Sequence, residues 1–154
     1  MNRPRRPRHG PDLNSPEDGT AADGGMGGPH QAGDRMSGHV CWMLELEMNE
    51  GRESDVRSLM KEMVDATKAN EPGTLDYEWS FSADGRRCHL WERYADSQAA
   101  LTHMGTFGET YAARFLDVMK PVRLVLYGSP SAAVKEGHAA FNPVFMQAAE
   151  GFSR

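Results

Sequence analysis

The sequence predicts an α+β fold: a four-stranded antiparallel sheet covered on one face by helices, in the order strand, helix, strand, strand, helix pair, strand. Three patterns carry this reading. Residues 39–48, 75–81, 88–94 and 122–128 alternate apolar and polar side chains or run continuously apolar, as strands do. Residues 53–70 place apolar side chains at three-and-four spacing, the mark of a helix buried along one side. Pro-Gly, Asp-Gly and Pro signals punctuate the chain between these runs.

Taken in order, HVCWMLELEM puts Val40, Trp42, Leu44, Leu46 and Met48 on one face and Glu45 and Glu47 on the other. The helix from Glu53 to Asn70 turns Val56, Leu59, Met60, Met63, Val64 and Thr67 inward, and EPGT at 71–74 stops it. LDYEWSF then alternates Leu75, Tyr77, Trp79 and Phe81 against Asp76, Glu78 and Ser80, and ADGRR makes a hairpin turn. In the next strand Cys88, Leu90, Glu92 and Tyr94 share one face, with His89, Trp91 and Arg93 on the other. Asp96 is the predicted N-cap of the following helix, Gly105 interrupts it, and Thr106 with Glu109 forms a T-x-x-E capping box for another. That helix turns Phe107, Tyr111, Phe115 and Val118 to one face, Pro121 ends it, and VRLVLYG is the fourth strand. This is the split βαββαβ order of a ferredoxin-like sheet. Apolar and aromatic groups remain on its uncovered face, which predicts an interface and hence a homodimer.

The 154 residues suffice for one domain with a real core. We divide them into an arm (1–37), the folded domain (38–128) and a C-terminal extension (129–154). Residues 1–38 hold 8 of the 16 glycines, 5 of the 9 prolines and no aromatic residue, so the arm is expected to be disordered. No apolar stretch follows its RRPR start, which argues against an export or transit segment. Met36, directly ahead of the first strand, is a candidate translation start. The same residues carry five basic and five acidic side chains, so the net charge of -5 falls on the folded part and argues against nucleic-acid binding there. Cys41 and Cys88 both fall in apolar strand patterns and are expected as free thiols in a reducing, cytoplasmic setting. No apolar run is long enough to span a membrane. In the extension a short helix is expected near 131–137, with Phe141, Val144, Phe145 and Phe152 buried as the tail packs over the helices of its own chain or a partner's, or over a cavity.

EPGTLDYEWSF, LWERYADSQAALTHM, and the TFGETYAARFL helix with its VRLVLYG strand resemble the antibiotic biosynthesis monooxygenase family over residues 39–128. These are dimeric α/β-barrel proteins that include quinol monooxygenase-like members. The most specific match is a strand glutamate, an aromatic two residues on, then Asp, Ala and His: Glu92, Tyr94, Asp96, Ala99 or Ala100, and His103. Family members commonly have Trp where this chain has Tyr94. The resemblance implies a dimeric barrel, and an activity among those the family spans: cofactor-free oxidation of quinols or polyketide-like aromatics by O2, haem degradation, or action on small signalling sugars. Haem-degrading relatives use an asparagine on the first strand; here Cys41, Trp42 and Met43 stand in that region and Asn49 comes too late.

Cofactor-free oxygenation requires a base that titrates near the working pH, and His103, at the border of an apolar stripe beside Leu101 and Met104, is the candidate. A core or helix-terminus histidine is the alternative. Tyr77, Trp79 and Trp91 are candidate walls for a small aromatic substrate, with core or interface packing as their other reading; Glu92 and Tyr94 complete the proposed site. Glu92 either joins an ion pair or orients a histidine, and Arg87 and Arg123 are candidate oxyanion holders. No metal-ligand spacing, phosphate-binding glycine loop after a strand or G-x-S-x-G elbow occurs. The expected function is therefore a cofactor-independent monooxygenase, with a non-enzymatic ligand-binding dimer or a haem protein as alternatives.

Overall fold

The computed structural model describes residues 38–151. Its elements are β1 (Val40–Met48), α1 (Glu53–Asn70), β2 (Thr74–Phe81), β3 (Arg87–Tyr94), α2 (Ser97–Thr106), a π-helical turn (Phe107–Tyr111), α3 (Ala112–Val118), β4 (Met119–Gly128), α4 (Ala132–Gly137), a 3-10 turn (Ala139–Phe141) and β5 (Val144–Met146). The sheet order is β2-β3-β1-β4-β5. Its first four strands pair antiparallel in the ferredoxin-like arrangement. The fifth pairs parallel to β4, so the sheet is mixed. The disorder expected of the arm and the burial expected of Phe152 lie outside the described residues.

The alternation of β1 sends Val40, Trp42 and Leu46 into the core, while α1 buries Val56, Leu59, Met63 and Thr67 against it. Two apolar clusters result: one gathers Leu46, Met63, Leu90 and Phe115 toward α1 and α3, the other Val40, Trp42, Leu126 and Val134 toward α2 and α4. Each such fully buried side chain contributes about 1.5–3 kcal/mol relative to exposure.

Four local expectations are corrected. Leu75 is 42% exposed, because a register shift between Thr74 and Asp76 turns it away from Tyr77 and Trp79. No capping box forms at Thr106. Its backbone stays helical and its hydroxyl donates to the Thr102 carbonyl at 3.1 Å, so the chain runs on through Gly105 into the π turn. A helical glycine costs only about 1 kcal/mol, which burial of Tyr111 and Phe115 outweighs. Pro121 does not end the helix. Val118 does, and Pro121 sits inside β4 opposite Leu46, where the β1–β4 register shifts to accommodate a residue without an N–H.

The fourth correction concerns the tail. Gly128, at φ +83°, turns the chain where an added Cβ would lie 2.3 Å from the His39 carbonyl oxygen. The Ser131 N–H then donates to Ser97 Oγ at 3.0 Å, and Ser131 Oγ caps α4 by accepting from the Val134 N–H at 3.3 Å. This places α4 beside α2, but β5 extends the sheet edge instead of packing over helices, and Phe141, Val144 and Phe145 remain 38–47% exposed. On the uncovered sheet face Cys41, Met43, Trp91 and Tyr127 are half-buried.

Candidate active site

Three elements converge on His103. Helix α2, capped by Asp96 accepting from the Ala99 N–H at 2.9 Å, carries the imidazole inward. The end of α1 brings Glu71, whose Oε2 lies 2.7 Å from His103 Nδ1 and also accepts from the Thr74 hydroxyl at 3.0 Å. From β3, Glu92 Oε2 lies 3.2 Å from His103 Nε2 and accepts the Tyr94 hydroxyl. All three ionisable groups are buried, with exposures of 3–7%. The imidazole is thus held between two carboxylates, and the ring of Tyr77 stands 5.3 Å from it and that of Tyr94 5.4 Å.

The charges follow from this geometry. Burial opposes a charge on His103, but the Glu71 hydrogen bond and the Glu92 and Glu71 charges outweigh it and raise its pKa above the ordinary histidine value. Burial likewise works against ionised Glu71, yet the His103 hydrogen bond and charge, with Thr74, hold it below the ordinary carboxylate value. Glu92 goes the other way: burial raises it, despite His103 and the hydrogen bonds of Tyr94 and Trp42. These directions favour an ionised Glu71 hydrogen-bonded to a charged His103, with Glu92 Oε2 facing the other ring nitrogen. Burial, then the Glu92 and Glu71 charges, push the Tyr77 phenol well above its usual range and keep it neutral.

A cavity of about 290 Å³ lies where the two core clusters meet. Trp42, Leu44, Leu90 and Leu124 form its sheet wall, and Met104, Phe107 and Phe115 its helical wall. The π turn widens the helix here, and the small side chains of Gly108 and Ala112 leave room. The exposed Leu116 and Phe141 mark the mouth. Four ionisable side chains line the space: Tyr77, Glu92, His103 and His138. It suits a flat, mostly apolar molecule with one or two polar edges. Among the described residues, no three His, Cys, Asp or Glu side chains converge as metal ligands. Glu71 and Glu92 take opposite nitrogens of the His103 ring and cannot share an ion with it.

Of the residues singled out in the sequence, His103, Glu92 and Tyr77 meet at this cavity, with Tyr94 one bond behind Glu92. Trp79 is set back, packed against Phe115 and Tyr77; its indole N–H and the Tyr77 hydroxyl are buried and have no hydrogen-bond partner among the described residues. Trp91 is not at the cavity: strand alternation puts it on the opposite sheet face, against Tyr127 at 5.8 Å. Neither arginine reaches the site. Arg87 pairs with Glu45 and Arg123 is exposed. Asn49 donates to the Asp117 carbonyl, also away from it. Three lining or supporting residues escaped the sequence reading. Glu71 had a signal: an acid at a helix C-terminus opposes the dipole and requires a cation nearby. Trp42 reads from the sequence only as core, and His138 lies just past the short helix expected near 131–137.

These features define a ferredoxin-like α+β domain with an apolar pocket built around a carboxylate–imidazole–carboxylate group. The chain belongs to the antibiotic biosynthesis monooxygenase family, whose sequence model matches residues 40–121, over half of the 154. Among solved structures it is similar to MupZ from Pseudomonas fluorescens, with 25% identity and a TM-score of 0.66 over 75% of this chain and 94% of that one. It is also similar to Rv0793 from Mycobacterium tuberculosis, with 26% identity and a TM-score of 0.53 over 62% of this chain and 98% of that one. No curated protein matches the chain.

Proposed function

We propose that this protein is a cofactor-independent monooxygenase that binds a quinol or polyketide-like aromatic in the cavity and oxidises it with O2. The observation that carries the reading is an apolar, aromatic-walled space of about 290 Å³ with a buried ionisable pair, His103 Nε2 and Glu92 Oε2 3.2 Å apart, at its wall. A phenolic ring that loses its O–H proton becomes electron-rich enough to pass an electron to O2. The ring supplies all four electrons that reduce O2, one oxygen atom ending in the product and the other in water. Glu71 accepts the His103 Nδ1–H and orients the ring, and Nε2, with Glu92, handles the proton. Trp42, Phe107 and Phe115 hold the ring and keep water out. The protein acts as a homodimer joined through the uncovered sheet face, where Trp91 and Tyr127 pack against each other.

Purified protein is expected to consume O2 with at least one member of a panel of hydroquinones and anthrones on an oxygen electrode, with oxidised product by mass spectrometry. Absent uptake across the panel, with ligands recovered intact, would sink the oxygenase reading. One observation favours a second reading, ligand binding without turnover: both His103 nitrogens are occupied by carboxylates. It predicts a ligand-induced thermal shift with no product.

A further inference from the structure

The cavity has a second imidazole, delivered by the segment after β4 and beyond the family-matched residues 40–121. His138 Nδ1 lies 2.9 Å from the Val134 carbonyl oxygen. A carbonyl only accepts, so Nδ1 carries the hydrogen and the neutral ring offers a lone pair at Nε2. No side chain among the described residues partners that Nε2, whereas both nitrogens of His103 are taken. The ring is 7% exposed and held edge-on to Trp42 at 4.6 Å. Beside it, Gly137 leaves room for the flexible end of Met104, whose Cε would lie 2.3 Å from an added Cβ.

We propose that His138 Nε2 accepts the hydroxyl proton of the aromatic ligand, leaving His103 to face the resulting phenolate as a cation. The inference rests on the ligand class of the proposed function and reassigns the base within it. In the step, the ligand O–H bond breaks, an N–H bond forms at Nε2, and the electron pair stays on the ring oxygen. Burial, reinforced by the His103 charge and against the Val134 hydrogen bond, lowers the His138 pKa and keeps the ring neutral, ready to accept. The anion left behind is stabilised by His103, whose own charge Glu71 secures. A chain of ring contacts, His138 to Trp42 to Tyr94 to His103, fixes the two imidazoles with respect to each other.

The test uses para-nitrophenol, whose ionised form absorbs visibly, at a pH where the free probe is protonated, with para-nitroanisole as the non-ionisable control. Wild-type protein is expected to bind both and to ionise the phenol. His138→Asn, which keeps a donor for the Val134 carbonyl but has no basic nitrogen, is expected to bind both with the ionised fraction down about tenfold or more. Equal ionisation by the two proteins overturns the proposal, as does wild-type protein that leaves the phenol protonated or unbound. Should the variant misfold, long-range proton–nitrogen NMR of the wild type decides: His138 protonated on Nδ1 and bare on Nε2 supports the proposal, and the reverse tautomer overturns it. Oxygen uptake with quinols is scored separately. Ionisation without uptake leaves this inference standing and removes the monooxygenase; uptake with undiminished ionisation in His138→Asn removes only this inference.

Discussion

His103 Nδ1 and Glu71 Oε2 meet at 2.7 Å across 32 residues of chain, joining the end of one helix to the last turn of another inside the core. The pH dependence of this pair follows from its two shifts. The His103 pKa is raised above 6.5, so its share of stability is complete below that value and is lost as pH rises through the folded pKa. The Glu71 pKa lies below 4.5, so its share is complete above that value and is lost as pH falls through the folded pKa. Glu71→Gln is expected to destabilise by about 3 kcal/mol, with the largest penalty between the two ordinary values of 4.5 and 6.5. Urea unfolding across pH checks this; a penalty that stays flat into alkaline pH would exclude the charged pair.

His103→Gln keeps the volume but removes the titrating group. Turnover of a productive quinol is expected to fall by about 100-fold or more, with the circular dichroism spectrum retained. Unchanged kcat would take His103 out of the mechanism.

Ala112 lines the cavity on α3, and a leucine there is compatible with the helix. Ala112→Leu is expected to fill the space and weaken ligand binding at least about tenfold, with folding stability changed by roughly 1 kcal/mol or less. Calorimetric titration with the same ligand checks it, and undiminished affinity would place the ligand elsewhere.

Gly128 permits the turn into the C-terminal segment. Gly128→Ala meets both a left-handed backbone, at φ +83°, and the His39 carbonyl oxygen 2.3 Å from its Cβ. The expected loss is about 2–3 kcal/mol, read as a lowered denaturation midpoint. A neutral result would mean that the β4 turn relaxes freely.

Trp91 and Tyr127 meet as a tilted ring pair on the uncovered sheet face, with centroids 5.8 Å apart. If that face joins two chains, wild-type protein elutes as a dimer by light scattering, and Trp91→Glu, which sets a charge in the seam, elutes as a monomer. A wild-type monomer at high concentration would contradict the pairing.

Much of the fold was legible because its signals are local. The period-two run of β3 and the three-and-four spacing of α1 each report which side faces the core, whatever the rest of the chain does. The errors fell where a distant partner decided. Pro121 reads as a helix stop in isolation, yet it is tolerated in β4 because β1 shifts register opposite it. Gly105 reads as a break, yet the burial of Tyr111 and Phe115 carries the helix past it. Trp91 was grouped with Tyr77 by chemistry, although its own strand parity already set it on the other face.

By itself, then, the sequence determined the order of elements from β1 to β4, most of their inward faces, and the presence of a histidine near the β3–α2 junction. Tertiary structure alone decided that Glu71 hydrogen-bonds that histidine, that Glu92 faces its other ring nitrogen, and that His138 enters the same cavity from the C-terminal segment. The reason is physical: periodicity encodes which face of an element is buried, but a pKa and a cavity depend on which side chains meet, and these come from four separate elements.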